Sequence, residues 1–263
     1  MIATIILMII IGMTGPISHG KTTFAKALME LEPHTIHLES SLVVARVANA
    51  MHAALKKTPD PYDVDSLNSW LHALPSILEE TVHAECTFEQ IKIDETAVEQ
   101  HPVEYQKLIM HVENINRHPE LAKQAITIDN KENYRPFLQW LGGYLVRKVD
   151  SGIWFSEIVR MTRDAATTGC ELCIVGGLRF PNDAAMMRQA GGIIIKVYRP
   201  RHLQYDMLDP TERERDNINV DSTVMSNGTV ADVKWCARQI LDDIKHNRLQ
   251  VLYQTSQAPH RDS

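Results

Sequence analysis

Apolar residues fall in two rhythms along the chain. Short, largely apolar runs, at Thr4–Ile11, Thr35–Leu38, Leu172–Val175 and Gly191–Tyr198, alternate with longer stretches in which apolar positions recur every three or four residues. The first rhythm predicts strands buried on both faces, and the second predicts amphipathic helices. Helices are expected over Thr22–Leu31, with Phe24, Ala27, Leu28 and Leu31 on the inner face, and from Glu39-Ser-Ser41 to near Leu55. Thr58-Pro-Asp-Pro-Tyr62 then breaks the pattern. Further helices are expected over Ser66–Cys86 (interrupted or restarted near Pro75), Glu95–Gln100, Pro102–Arg117 and Pro119–Ala125, with Trp70, Leu71, Leu74, Ile77 and Leu78 as core positions. Others follow from Tyr134, over Trp154–Thr168 with Gly169 as its cap, from Pro181-Asn-Asp183, and over Val230–Asn247. Asp221–Thr229 reads as a short strand and turn, and Gln257–Ser263 as a frayed end. Strands alternating with helices predict an α/β fold, with a central parallel sheet and helices on both faces. In such folds ligands sit at the carboxyl ends of the strands.

Charge divides this picture. The chain of 263 residues has a formal charge of −6, but from Met51 to Tyr134 fifteen acidic residues face only seven basic ones, and the remainder is slightly basic. We therefore expect a core over residues 1–58 and 134–250, an acidic, mostly helical insertion over 59–133, and a tail over 251–263. An extended nucleic-acid groove is not favoured by this balance, whereas a local basic pocket for small phosphorylated ligands fits it. A homodimer through the insertion is compatible with these residues and not demanded by them. The first apolar run lacks a basic flank and is too short to span a bilayer, so it is expected as a core strand rather than a signal or membrane segment. Of the four cysteines, Cys170-Glu-Leu-Cys173 has metal-ligand spacing but no second pair. Buried thiols are favoured there over a metal or redox site, and a reducing cytoplasm is the expected compartment.

The chemistry concentrates after the first strand. Gly15-Pro-Ile-Ser-His-Gly20-Lys21-Thr22 is a complete G-x-x-x-x-G-K-[ST] phosphate-binding loop, set between an expected strand and an expected helix. Gly15 and Gly20 let the backbone curl so that successive amides surround a β-phosphate. The expected ATP contact is Gly15, Pro16, Ile17, Ser18, His19, Gly20, Lys21, Thr22 and Thr23. Lys21 brings a point charge to the β- and γ-phosphates, and the Thr22 hydroxyl is placed to hold Mg²⁺. The fold expected is therefore the three-layer P-loop NTPase arrangement with a helical insertion. No N-K-x-D segment is present, which disfavours a GTPase of the translation or signalling type.

Arg135, Gln139, Gly143 and Arg147 form one i, i+4 row beside an apolar row of Leu138, Leu141 and Leu145. Two guanidinium groups and an amide with a glycine between them suit a planar anionic ligand; a solvated polar face gives the same pattern. Arg179 and Arg199, like Gly15, lie just past an expected strand end. The segment 199–216 carries Arg199, Arg201, Arg213 and Arg215 among acids, and reads either as a solvated loop or as a lid closing over phosphates.

Taken in order, these segments resemble deoxynucleoside monophosphate kinases of the phage type. The resemblance rests on the loop through Lys21-Thr22-Thr23, on Tyr134-Arg-Pro-Phe-Leu-Gln-Trp-Leu-Gly142 with Arg147 and Trp154, on Ile174-Val-Gly-Gly-Leu-Arg-Phe-Pro-Asn-Asp183 with Gly191-Gly192 and Val197-Tyr-Arg-Pro200, and on Pro210-Thr-Glu212 with Ser226-Asn-Gly228. It covers roughly residues 1–50 and 134–245; the acidic insertion matches no named pattern. It implies Mg²⁺-assisted transfer of the ATP γ-phosphoryl group to a deoxynucleoside monophosphate. Lys21, Arg179, Arg213 and Arg215 would be catalytic, the arginines of the last pair as lid groups. Arg135, Gln139, Gly143 and Arg147, with Glu39 and Arg46, would hold the acceptor. One departure stands out: the family has an aspartate two residues before the strand-end arginine, and here that position is Gly177. Either another acid such as Glu39 takes that role, or metal-assisted transfer is weakened. The alternatives are a P-loop kinase for another small acceptor, such as dephospho-coenzyme A or a nucleoside, and a nucleotide-binding regulatory protein without turnover.

Overall fold

A computed structural model describes residues 8–54, 60, 62–86, 102–127, 129–148, 152–200, 214–225 and 228–254; the side chains of 52–54, 75, 102–105 and 144–148 lie outside that description. The chain divides into two compact units, one formed by Met1–Ser40 with Ile158–Ser263 and the other by Ser41–Glu157.

The first unit is built on a six-stranded sheet in which every described pairing is parallel. Its strands are β1 (Ile9–Thr14), β2 (Thr35–Glu39), β3 (Leu172–Gly176), β4 (Ile193–Tyr198), β5 (Ser222–Met225) and β6 (Leu252–Gln254), in the spatial order β2-β3-β1-β4-β5-β6. Alternation along the strands sends Ile11, Met13, Leu172, Ile174, Ile195, Val197 and Val224 to one face. There they meet Phe24 and Leu28 of α1 (Lys21–Leu31) and Val233, Cys236, Ala237 and Ile240 of α8 (Val230–Lys245). Removing a side chain such as Phe24 or Leu28 from water stabilises the fold by about 1.5–3 kcal/mol each, which pins α1 and the loop before it to the sheet. The other face carries α7 (Pro181–Gln189), whose Met187 lies against Gly12, and the part of α6 (Ile153–Thr167) from Ile158 onward, where Cys173 meets Thr162. The expected α/β architecture, a parallel sheet with helices on both faces, is thus present.

The second unit contains α2 (Ser40–Ala54) from Ser41 onward, α3 (Val64–Glu85), α4 (Pro102–Arg117) and α5 (Arg135–Lys148). Its interior includes Val47, Met51, Leu74, Leu78, Leu108, Val112 and Leu141, and a stack in which His111 lies 4.6 Å from Phe137 and Phe137 lies 5.9 Å from Trp140. Trp70, Leu71, Leu74 and Leu78 are buried as their spacing predicts.

The described part of the first strand is Ile9–Thr14, and the expected start at Thr4 lies outside the described residues. Three expectations are corrected. Helix α3 passes Pro75 without a break: proline removes one intrahelical donor there, and the turns on either side keep their apolar stripe. Pro119–Ala125 holds only a single 3₁₀ turn, Leu121–Lys123. The segment assigned to the tail supplies an edge strand, β6, paired with β5. The helix expected over Glu95–Gln100 falls outside the described residues. Among the described residues no helix is long and apolar enough to cross a membrane.

A three-residue strand needs an anchor, and Tyr253 is it. The ring is buried, its hydroxyl donates to Asp243 Oδ2 at 2.8 Å and accepts the Gln250 N–H at 3.0 Å, and burial pushes its pKa up to about 12. Tyr253→Phe leaves the largely buried Asp243 carboxylate without its best donor. It should lower stability by about 1–3 kcal/mol, read as a lower urea midpoint. A midpoint equal to the parent's would show that the hydroxyl does not hold the edge.

Candidate phosphate-binding site

All strands of the sheet are parallel, so the ends of β1, β2, β3 and β4 meet at one edge. The phosphate-loop sequence leaves β1 at that edge and turns into α1. Gly15 has φ +133° and Gly20, at the N-cap of α1, has φ +96°; Ser18 is also left-handed, at φ +64°. These turns let residues 15–20 form a compact arch between a strand and a helix N-terminus, where the helix dipole favours an anion.

The arch is fastened on both sides. Thr14 Oγ1 donates to Leu178 O at 3.0 Å, and Leu178 N–H donates to Met13 O at 3.2 Å, tying it to the end of β3. On the β4 side, His19 is fully buried, its Nδ1 accepts the Arg199 N–H at 2.9 Å, and its ring sits 5.3 Å from that of Tyr198. His19 therefore pegs the loop to the end of β4, with Pro16 O accepting its own N–H at 3.4 Å. Lys21 folds back across the arch, its Nζ donating to Gly15 O and Pro16 O, each at 2.7 Å. Thr22 is exposed on the first turn of α1 and Thr23 is half-buried.

No protein-family model and no curated protein sequence matches this chain.

Beside the loop, β3 ends in Gly176-Gly177 and the chain runs on to the exposed Arg179. Asp183, on the first turn of α7, accepts the N–H groups of Arg179 at 2.9 Å and Phe180 at 3.0 Å. Burial pushes its carboxyl up to about 6, against those two bonds, which favour the ionised form. Sequence reasoning placed Asp183 only as a helix start; it also fixes the backbone that carries Arg179. Glu39, at the end of β2, lies over Gly176. His37 Nε2 stands 3.0 Å from Glu39 Oε1, and Ser40 Oγ donates to Gly177 O at 3.0 Å.

The arginines after β4 separate. Arg199 is exposed and its backbone holds His19; Arg215 is buried, its Nη2 at 3.5 Å from Asp216 Oδ1; Arg201 and Arg213 lie outside the described residues. Burial pushes the thiols of Cys173 and Cys236 up to about 11, and that of Cys86 upward. None of the four cysteines is bonded to another; Cys173 is buried, whereas Cys170 is only half-buried.

The remaining candidates belong to the second unit. Arg135 is exposed at the start of α5 and pairs with Glu132, Nε to Oε2 at 2.6 Å. Gln139 and Gly143 are half-buried along the same helix, and the side chain of Arg147 lies outside the described residues. The core side of α5 is carried by Phe137, Trp140 and Leu141, with the preceding Tyr134 also buried, which leaves the Arg135, Gln139 and Gly143 row apart from the buried face. Arg46 projects from α2 into a cluster where its Nη2 donates to Glu157 Oε1 at 3.1 Å and to Glu85 O at 2.6 Å. Burial, the largest single influence, opposes its charge, but the buried Glu157 and Cys86 together outweigh it and the pKa rises. It also lines a cavity of about 460 Å³ with Leu42, Asn49, Glu85 and Ile126. Asn49 holds the rim by donating to Ile126 O at 3.0 Å and accepting its N–H at 2.6 Å.

Among the described residues no group of three or more His, Cys, Asp or Glu side chains could hold a metal ion. A Mg²⁺ that arrives on a nucleotide does not require one, since it keeps several waters and binds through phosphates and one or two protein oxygens. The Thr22 hydroxyl and the Glu39 carboxylate, set in its glycine cradle, are donors of that kind.

Proposed function

We propose that the protein is a P-loop kinase that transfers the γ-phosphoryl group of ATP to a deoxynucleoside monophosphate, giving the diphosphate. The observation that carries the reading is the arch of residues 15–20, which joins β1 to α1 with Lys21 folded across it. The strand order adds support: β1 lies between β3 and β4, the place where the chain's path across the sheet reverses and where parallel α/β folds bind ligands.

In this reading the loop amides and the N-terminus of α1 hold the β-phosphate, and Lys21 exchanges its loop carbonyls for phosphate oxygens. Thr22 would hold Mg²⁺, which would supply neutralisation of the phosphate charge when bound. Arg179, its backbone fixed through Asp183, would face the transferred group, with Arg213 as the lid group; Arg215, buried beside Asp216, is not retained in that role. The row Arg135, Gln139, Gly143 and Arg147, together with Arg46, is proposed to bind the acceptor. Transfer of this type needs positioning and charge rather than a strong nucleophile, which suits a site of lysine and arginines.

The test is phosphoryl transfer from ATP with Mg²⁺ to a panel of deoxy- and ribonucleoside monophosphates, with dephospho-coenzyme A and nucleosides included. Diphosphate formed from one or two deoxynucleoside monophosphates is the expected result. Product from a hydroxyl acceptor alone would replace the acceptor class. ATP binding without product would favour a nucleotide-binding regulator, the reading that the glycine at 177 supports.

A further inference from the structure

Resting on the phosphate-site reading, we infer that Glu39, reaching across from β2, is the acid of the metal shell at the phosphate loop. A nucleotide-bound Mg²⁺ is ordinarily steadied by a carboxylate as well as a hydroxyl. The strand beside β1 offers none: β3 ends in two glycines, and the next acid, Asp183, spends Oδ2 on the Arg179 and Phe180 N–H groups.

The sheet register brings Glu39 to that place. Glu39 pairs with Gly176 in the parallel ladder, so the two share a face. Gly176 has the parity of Leu172 and Ile174, which pack with Phe24 and Leu28 of α1. The Glu39 side chain therefore projects on the same face as α1, whose first turn carries Lys21 and Thr22, and at the same edge as the loop. It also leans over β3: a Cβ placed on Gly176 would come within 2.6 Å of Glu39 Oε2 and collide with Oε1. Gly177 completes the cradle, since a Cβ there would lie 2.6 Å from Ser40 Oγ and 3.4 Å from Glu39 Oε2. The two glycines are thus the seat of an acid supplied by the neighbouring strand. His37 Nε2 lies 3.0 Å from Oε1, on the same face of β2.

The test reads metal binding directly. Mn²⁺ is titrated into the protein saturated with ADP and followed by electron paramagnetic resonance, while ADP affinity is measured separately without metal. Glu39→Gln should weaken Mn²⁺ binding by about 10–100-fold and leave metal-free ADP affinity unchanged. Gly176→Ala, which displaces the carboxylate while keeping Glu39, should weaken Mn²⁺ in the same direction. Mn²⁺ affinity at the parent level in both variants overturns the inference. So does an equal loss of metal-free ADP affinity in Glu39→Gln, which would make the carboxylate a support of the loop alone. If the parent protein binds no ADP, the kinase reading itself fails.

Discussion

Lys21→Ala is expected to reduce phosphoryl transfer by at least about 10²–10³-fold, the scale lost when one preorganised charge is removed from a developing anionic centre. The ammonium spans the arch, donating to Gly15 O and Pro16 O at 2.7 Å each, so it is held over the space the loop encloses. Its loss removes both a charge and a clip. The clip contributes about 1 kcal/mol, small beside the rate effect, so the variant should fold and melt close to the parent. Lys21→Arg separates the two roles. It keeps the charge, but a planar fork does not occupy the place of a compact ammonium between two carbonyls. Turnover should therefore stay low while part of the ATP affinity is retained. Initial rates with the preferred acceptor and calorimetric ATP affinities measure this. Transfer by Lys21→Ala within about threefold of the parent would remove Lys21, and with it the loop, from the proposed chemistry.

What was legible in the sequence follows from the range of the signal. β1, β3 and β4 were readable as largely apolar runs, β2 and β5 as short strands bounded by turns and caps, and α1 because Phe24, Ala27 and Leu28 repeat at helical spacing. β6 was not, since three residues with one buried side chain carry no periodicity; Tyr253 is held by Asp243, ten residues earlier. The loop was readable as a motif, but its fastening was not. His19 meets the backbone of Arg199 across 180 positions of chain, and no local pattern marks that contact. Arg215 shows the limit of charge patterns: a cluster of arginines and acids does not say which member is buried, and this one is.

Glu39 and Gly177 show the same limit in a different form. Read along the chain, two glycines where an acid is expected look like a loss. Read across the sheet, they are the space into which an acid from β2 fits, because parallel register places Glu39 opposite Gly176. A departure at one position and an unassigned acid at another, 138 residues apart in numbering, become one feature only when strand order is known.

Gly15→Ala is expected to cost about 3 kcal/mol or more in stability and to abolish nucleotide binding. Two terms act together at this residue. Its φ of +133° is one that L side chains rarely adopt, which alone costs about 1–3 kcal/mol. In addition the new Cβ would collide with Val197 O and lie 3.1 Å from Val197 C and 3.3 Å from Val197 N, all backbone of a central strand that cannot turn aside. Relief must come from the loop, which would lift off β4 and break the seat of His19 under the Arg199 N–H. Gly191 is the control: it too has positive φ, at +85°, but a Cβ there meets nothing within 4 Å. Gly191→Ala should lose only the conformational term, about 1 kcal/mol. At about 2–4 °C per kcal/mol for a chain of this size, the two melting points should differ by several degrees. ATP affinity should be lost in Gly15→Ala even below its melting range and kept in Gly191→Ala. Equal losses of stability, with ATP affinity intact in both, would mean that the arch is not pressed against β4 as described.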